Sequence, residues 1–247
     1  MFRDMPFLVI DPGSLIPAPS FDLHAPDGFL SVGVALLMWA LTFVVLGISV
    51  ARANRNLDER AVPLMGVTAA FIFAAQMFNF PVVGGTSGHL LGGVLAAILL
   101  GPWVGTLVMA SVVGVQALVF QDGGLLVLGA NIFNMGIVGT LGGYVIYAAL
   151  CRVLGGERRR RLPAAAIASW SAVMLGALAM TLELAASGTS PLELALPAML
   201  GVHALIGIGE ALITVGALAL IGSVRPDLLE LRDGRRRPVV ISAQGAS

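Results

Sequence analysis

Residues 61–121 run for 61 positions without an Asp, Glu, Lys or Arg. A helix crosses the hydrocarbon core of a bilayer with about 20 apolar residues, so this run must hold more than one pass. Further uncharged runs cover 29–50, 123–151 and 162–182, and the run 194–224 carries a single acid, Glu210. A soluble domain has about a quarter of its residues charged, whereas here the share is 11%. The chain reads as an all-α polytopic membrane protein. Two glycine- and proline-rich breaks, at 81–88 and at Gly101-Pro102, divide the long run. Seven segments result, at about 29–51, 63–80, 89–100, 103–120, 124–150, 163–187 and 195–222.

The arginines orient these segments, because positively charged loops stay cytoplasmic. Arg52, Arg55 and Arg60 join segments 1 and 2, Arg152 and Arg158 to Arg161 join 5 and 6, and Arg225, Arg232 and Arg235 to Arg237 follow segment 7. An odd number of passes puts all three groups on one face, with the N-terminus outside and the C-terminus in the cytoplasm. The organisation expected is an extracytoplasmic segment 1–28, a transmembrane domain 29–224 and a basic cytoplasmic tail 225–247. Segment 3 is the exception to simple spanning. Twelve residues rise only about 18 Å as a helix, so either the helix extends back through Gly84–Gly88 or the glycine-rich stretch enters the membrane as irregular backbone lining a cavity.

Composition removes several functions. All 14 basic residues are Arg, so neither a P-loop lysine nor a Schiff-base lysine exists, and ATP hydrolysis by that route is excluded. Net charge of zero gives no case for nucleic acid. The one cysteine, Cys151, forbids an intrachain disulfide and a multi-cysteine metal cluster.

The residues able to carry chemistry are few. His24 precedes the turn sequence Ala25-Pro26-Asp27-Gly28, and His89 follows Gly84-Gly85-Thr86-Ser87-Gly88. Two imidazoles 65 positions apart are weak evidence of a metal site and equally fit loop histidines satisfied by hydrogen bonds. Asn131 and Asn134 lie three apart and are expected on one helix face, as helix-packing glue or as residues that pin histidine-bearing loops. His203 and Glu210 share a face seven positions apart, and a structural pair or a partner contact is expected there. Glu183 is expected to reach the interface. A protease reading pairs Ser87, in a GxSG-like match, with His203; a vitamin or other solute carrier would keep the fold without the metal.

Longer matches then accumulate in order: Leu23-His24-Ala25-Pro26-Asp27-Gly28-Phe29-Leu30, Gly84-Gly85-Thr86-Ser87-Gly88-His89-Leu90-Leu91-Gly92-Gly93, Gly101-Pro102-Trp103, Gln116-Ala117-Leu118, Asp122-Gly123-Gly124, Gly129-Ala130-Asn131-Ile132-Phe133-Asn134-Met135-Gly136 and His203-Ala204-Leu205-Ile206-Gly207-Ile208-Gly209-Glu210-Ala211. Together they resemble the CbiM/NikM family, the cobalt/nickel substrate-binding membrane subunits of energy-coupling-factor (ECF) transporters, over residues 23 to 224. The resemblance implies an outward-open site for Co(II) or Ni(II) as transported substrate. Four nitrogens in a plane would bind it: a free terminal amine, the backbone nitrogen and imidazole of the next residue, and a later histidine. By motif these are Leu23, His24 and His89, with Asp27, Ser87, Asn131 and Asn134 around them. Square-planar nitrogen sets suit Ni(II) or Cu(II), and imidazole suits late divalent metals.

The chain departs from that pattern at Leu23, an internal residue with no free amine. Three explanations stand: a translation start placed upstream of the working one, which we favour, proteolysis before residue 23, or an extension in which Asp22 replaces the amine. The resemblance also implies partners, namely an ECF coupling transmembrane protein, ATPase subunits and a small accessory membrane subunit, with no nucleotide on this chain. It places the protein in the inner membrane of a bacterial cell.

Overall fold

The computed structural model describes residues 24–56, 61–77, 80–82, 86–88, 90–155 and 158–230. The expected amino-terminal segment up to Leu23, His89, and the basic tail beyond 230 lie outside the described residues. The order of elements is α1 (Val32–Asn56), α2 (Ala61–Gln76), β1 (Phe80–Val82), β2 (Thr86–Gly88), α3 (Gly93–Leu100), α4 (Pro102–Phe120), α5 (Leu128–Asn131), a π-helix (Ile132–Gly142), α6 (Gly143–Val153), α7 (Arg158–Ala186), α8 (Leu192–Val224) and α9 (Pro226–Glu230). From α5 through the π-helix to α6 the chain is one rod of 26 residues.

Five helical stretches are long and apolar enough to cross a bilayer: Val32–Arg55, Pro102–Phe120, Leu128–Val153, Arg161–Ala186 and Leu192–Val224. The other two expected segments are shorter. Helix α2 has 16 residues and α3 has eight, about 24 Å and 12 Å of rise. The glycine-rich approach to α3 does not extend that helix backwards. It forms an antiparallel hairpin that sets Phe80 opposite Gly88, Pro81 opposite Ser87 and Val82 opposite Thr86. This short hairpin interrupts an otherwise helical chain and leaves the expected all-α class in place. Pro81 cannot continue α2, because its ring removes an N–H and clashes with the preceding turn.

Apolar side chains face outward along the long helices. Val32, Leu36, Leu37, Phe43 and Val44 on α1 and Leu194, Leu212 and Leu220 on α8 are all exposed. A patch of that extent is untenable in water and natural in lipid, so this is a multi-pass membrane protein. Inside, small residues set the spacing. Helix α7 buries Ala164, Ala165, Ala168, Ala172 and Ala177 and packs along α8. Helix α3 approaches the π-helix so closely that a Cβ on Gly93 would lie 2.8 Å from the Gly139 carbonyl carbon. Close backbone approach through Gly and Ala is the usual means of helix association where lipid competes equally for apolar side chains.

Candidate metal-capture site

The segment that begins at His24 is fastened to the loop between α4 and α5. His24 is buried, and its Nδ1 lies 3.0 Å from Oδ1 of Asp122. Next to it the Ala25 backbone is held at both ends by one amide. Ala25 N–H donates to Oδ1 of Asn131 at 3.0 Å, and Nδ2 of Asn131 donates to the Ala25 carbonyl at 3.1 Å. The Gly124 N–H donates to that same carbonyl at 3.0 Å. The Asp27 carboxylate then accepts N–H groups from Leu125 at 3.2 Å, Leu126 at 2.8 Å and Val127 at 3.3 Å, ahead of the first turn of α5, whose amides have no partner within the helix. Gly123 makes room for this contact. Its φ is +95°, and a Cβ there would sit 2.6 Å from the His24 Cβ.

The second segment, Leu90–Gly92, follows His89 and is fastened inside the bundle. Glu210 on α8 is 2% exposed and accepts with both oxygens, from Leu91 N–H at 2.6 Å and Gly92 N–H at 2.9 Å. These amides open α3, where a carboxylate also meets the favourable end of the helix dipole. The Leu91 carbonyl accepts from Nε2 of Gln76 at 2.7 Å, and Oε1 of Gln76 accepts from Nε2 of Gln116 at 2.8 Å. Gly92 has φ of +82°, a conformation open to glycine without strain.

Beside Leu91 and Asn131 lies a cavity of about 50 Å³ whose lining includes Leu91, Asn131, Asn134, Met180, Met199 and His203. Asn131 thus holds the chain beside His24 and walls the same space as Leu91, two residues after His89. Asn134 turns elsewhere: its Nδ2 donates to Oε2 of Glu183 at 2.9 Å. The two asparagines, expected on one helix face, line the same cavity but hold different partners, Ala25 for Asn131 and Glu183 for Asn134. Glu183 is buried at 7% exposure, which corrects the expectation that it reaches the interface. His203 and Glu210 do address a common neighbour, since one lines the Leu91 cavity and the other takes the Leu91 N–H. Ser87 falls in β2, and its side chain lies outside the described residues.

Gln76 was missed from the sequence and Gln116 was read only as part of the motif Gln116-Ala117-Leu118, although a signal for both existed. Both are amides within apolar spans, where a polar group must find a partner, the rule that drew attention to Asn131 and Asn134. Among the described residues no group of three His, Cys, Asp or Glu side chains converges on one point; the set implied by motif takes one imidazole and an amine from outside them.

Residues 24–228 match the family model CbiM, described as the cobalt uptake substrate-specific transmembrane region. A protein of Archaeoglobus fulgidus bearing the name of a fused nickel transport protein, NikMN, is 43% identical over 225 residues, 90% of this chain and 73% of that protein. The cobalt transport protein CbiM of Sorangium cellulosum is 33% identical over 231 residues, 91% of this chain and 100% of that one. The crystal structure of a transition metal transporter superposes with a TM-score of 0.75 at 33% identity, covering 87% of this chain and 100% of the other. The GxSG match behind the protease reading falls inside this region and has no standing of its own. The chain belongs to the CbiM family of cobalt and nickel transport proteins.

Proposed function

We propose that the chain is the substrate-capture subunit of an ECF-type importer, taking Co(II) or Ni(II) from outside the cell and passing it inward when partners supply the energy. It sits in a bacterial inner membrane as seven segments, with the amino-terminal side outside and the arginine-rich ends in the cytoplasm. Lacking any lysine, it leaves ATP hydrolysis to separate ATPase subunits, linked through a coupling transmembrane protein, with a small accessory membrane subunit beside them. The small-residue faces of the first three segments are the docking surface for the coupling protein.

The ion is held by His24, His89 and the amine of residue 23 where the working chain begins there, with the His24 backbone nitrogen completing the plane. The observation that supports this reading is the double role of Asn131, which fixes the backbone next to His24 and walls the cavity shared with Leu91. The rod that carries Asn131 therefore fixes the His24 segment and borders the space that Leu91 of the other segment also lines. Chelation by a histidine through its own backbone nitrogen closes a six-membered ring only through Nδ1, the atom that faces Asp122. Capture then exchanges the Asp122 contact for the ion, and the carboxylate stays close by to offset its charge.

Calorimetric titration of the purified chain with Co(II) and Ni(II) tests this reading. His24→Ala and His89→Ala are each expected to weaken binding by more than about tenfold, or about 1.4 kcal/mol. Unchanged affinity in both variants returns the two residues to ordinary loop histidines. Amino-terminal sequencing of the protein made from its native gene tests the amine: a metal-binding chain that starts at Met1 refutes the four-nitrogen set.

A further inference from the structure

The cavity beside Leu91 and Asn131 has a lining that packing alone does not explain. Its wall includes His203, Asn134, Met180 and Met199, and the Met180 sulfur lies 3.8 Å from Nδ2 of Asn134. Nδ1 of His203 lies 2.8 Å from the Met199 carbonyl. A carbonyl can only accept, so Nδ1 carries the proton and Nε2 keeps its lone pair. That is the arrangement of a metal-ligating histidine, whose other ring nitrogen is fixed by a backbone carbonyl. Asn134 is 5% exposed, and its Nδ2 must be the atom that donates to Glu183. Its Oδ1 is then buried with no hydrogen-bond partner. Native structures rarely leave such an oxygen unsatisfied, and each instance asks for an explanation.

We propose that this cavity is a transit site, in which His203 Nε2, Asn134 Oδ1 and the sulfurs of Met180 and Met199 hold the transported divalent transition metal on its way inward from the capture site. The proposal rests on the capture reading and adds a second stop to it. A cation fills the orphaned oxygen's vacancy in hydrogen bonding and draws on the Glu183 carboxyl one bond behind Asn134. Thioethers are soft, weak ligands for Co(II) and Ni(II), and a relay needs such weakness, because an ion held as tightly as at the capture site would not leave. The space of about 50 Å³ admits an ion with one or two waters, each water needing about 10–15 Å³. The position also fits a path. Met180 lies about 9 Å from the end of α7 and His203 about 17 Å from the start of α8, so the cavity is well within the bundle, while Asn131 and Leu91 in its wall connect it to both capture segments.

The test uses the full chain with the capture site disabled, as His24→Ala and separately as His89→Ala, loaded with Co(II) alone and measured by X-ray absorption. Bound Co(II) with a sulfur neighbour is expected in both backgrounds. Adding Met180→Leu and Met199→Leu, swaps that keep volume, should remove the sulfur signal, and adding His203→Ala should remove the binding. In the assembled transporter in vesicles, His203→Ala alone should lower uptake about tenfold or more, the range seen on losing a metal-site residue, with capture affinity changed less than about twofold. Co(II) without sulfur neighbours, no Co(II) in either background, or wild-type uptake by His203→Ala would each overturn the transit site. Tight binding that survives loss of either capture histidine overturns the capture reading instead, and the sulfur signal and the His203 dependence still decide the second site.

Discussion

The two histidine-bearing segments are held by opposite means. The His24 segment docks at the rim through Asp27, an exposed carboxylate that collects three backbone N–H groups, and through one buried amide, Asn131. The Leu90–Gly92 segment is held in the interior by Glu210, a carboxylate with almost no exposure, and by the relay from Gln116 through Gln76. Water can replace a lost partner at the rim. In the apolar interior nothing replaces it, and an unpaired N–H bears its full desolvation cost. The rim segment can therefore loosen and return, whereas the inner one is built as a fixed wall. Under the capture reading proposed above, that division puts mobility at the proposed point of entry.

The contrast predicts a ranking. Glu210→Ala should have the largest effect, because it strands the Leu91 and Gly92 N–H groups in the interior. Hydrogen bonds to a charged acceptor contribute about 1.5–3 kcal/mol each, so a loss of about 3 kcal/mol or more is expected, read as a clear drop in the thermal unfolding midpoint in detergent. Glu210→Gln keeps one acceptor oxygen and should recover roughly half of the loss. A wild-type midpoint in Glu210→Ala would show that the inner wall is not held by this carboxylate.

Asn131→Ala comes next and sharpens the comparison, since Asn131 is buried like the inner clamps yet serves the rim segment. Two neutral hydrogen bonds to Ala25 are lost, each contributing about 1 kcal/mol, so stability should fall by about 2 kcal/mol. Metal affinity should fall too, by about tenfold, although Asn131 is not in the proposed nitrogen set. Affinity unchanged alongside lowered stability would reduce Asn131 to helix-packing glue.

Five of the seven expected spans were legible in the sequence, because hydropathy is a compositional signal that needs no knowledge of neighbours. Gly101-Pro102 marked the join of α3 to α4, where Pro at the first helical position has no N–H to lose. The third segment was legible as too short to span, and the hairpin before α3 was not, since a six-residue pairing carries no periodicity of its own. The clamps were opaque for a different reason. Ala25 meets Asn131 across 106 positions and Leu91 meets Glu210 across 119, so each pair exists only once the helices are packed. A local reading could flag Glu210 as an acid inside a span and could not name its partner. Glu183 illustrates the converse error: placed near a helix end it looked free to reach water, but the π-helix carries Asn134 against it and keeps it inside.

The smallest expected effect belongs to Asp27→Asn, which tests the rim half of the comparison directly. The amide keeps one acceptor oxygen, and the geometry shows which N–H groups depend on each: Oδ1 serves Leu126 and Val127 while Oδ2 serves Leu125. An asparagine that places its oxygen at the Oδ1 position retains the two contacts nearest the start of α5 and loses the longer one to Leu125, whose N–H lies at the exposed rim and passes to water. The lost charge also removes a favourable term at a helix beginning, which at exposed positions amounts to about 0.3–1 kcal/mol. Stability should therefore fall by less than about 1 kcal/mol, with capture affinity changed only a few fold, both measurable beside Glu210→Ala in the same detergent. A loss from Asp27→Asn equal to that from Glu210→Ala would show the rim to be as rigidly specified as the interior, and the asymmetry between a yielding entrance and a fixed wall would not hold.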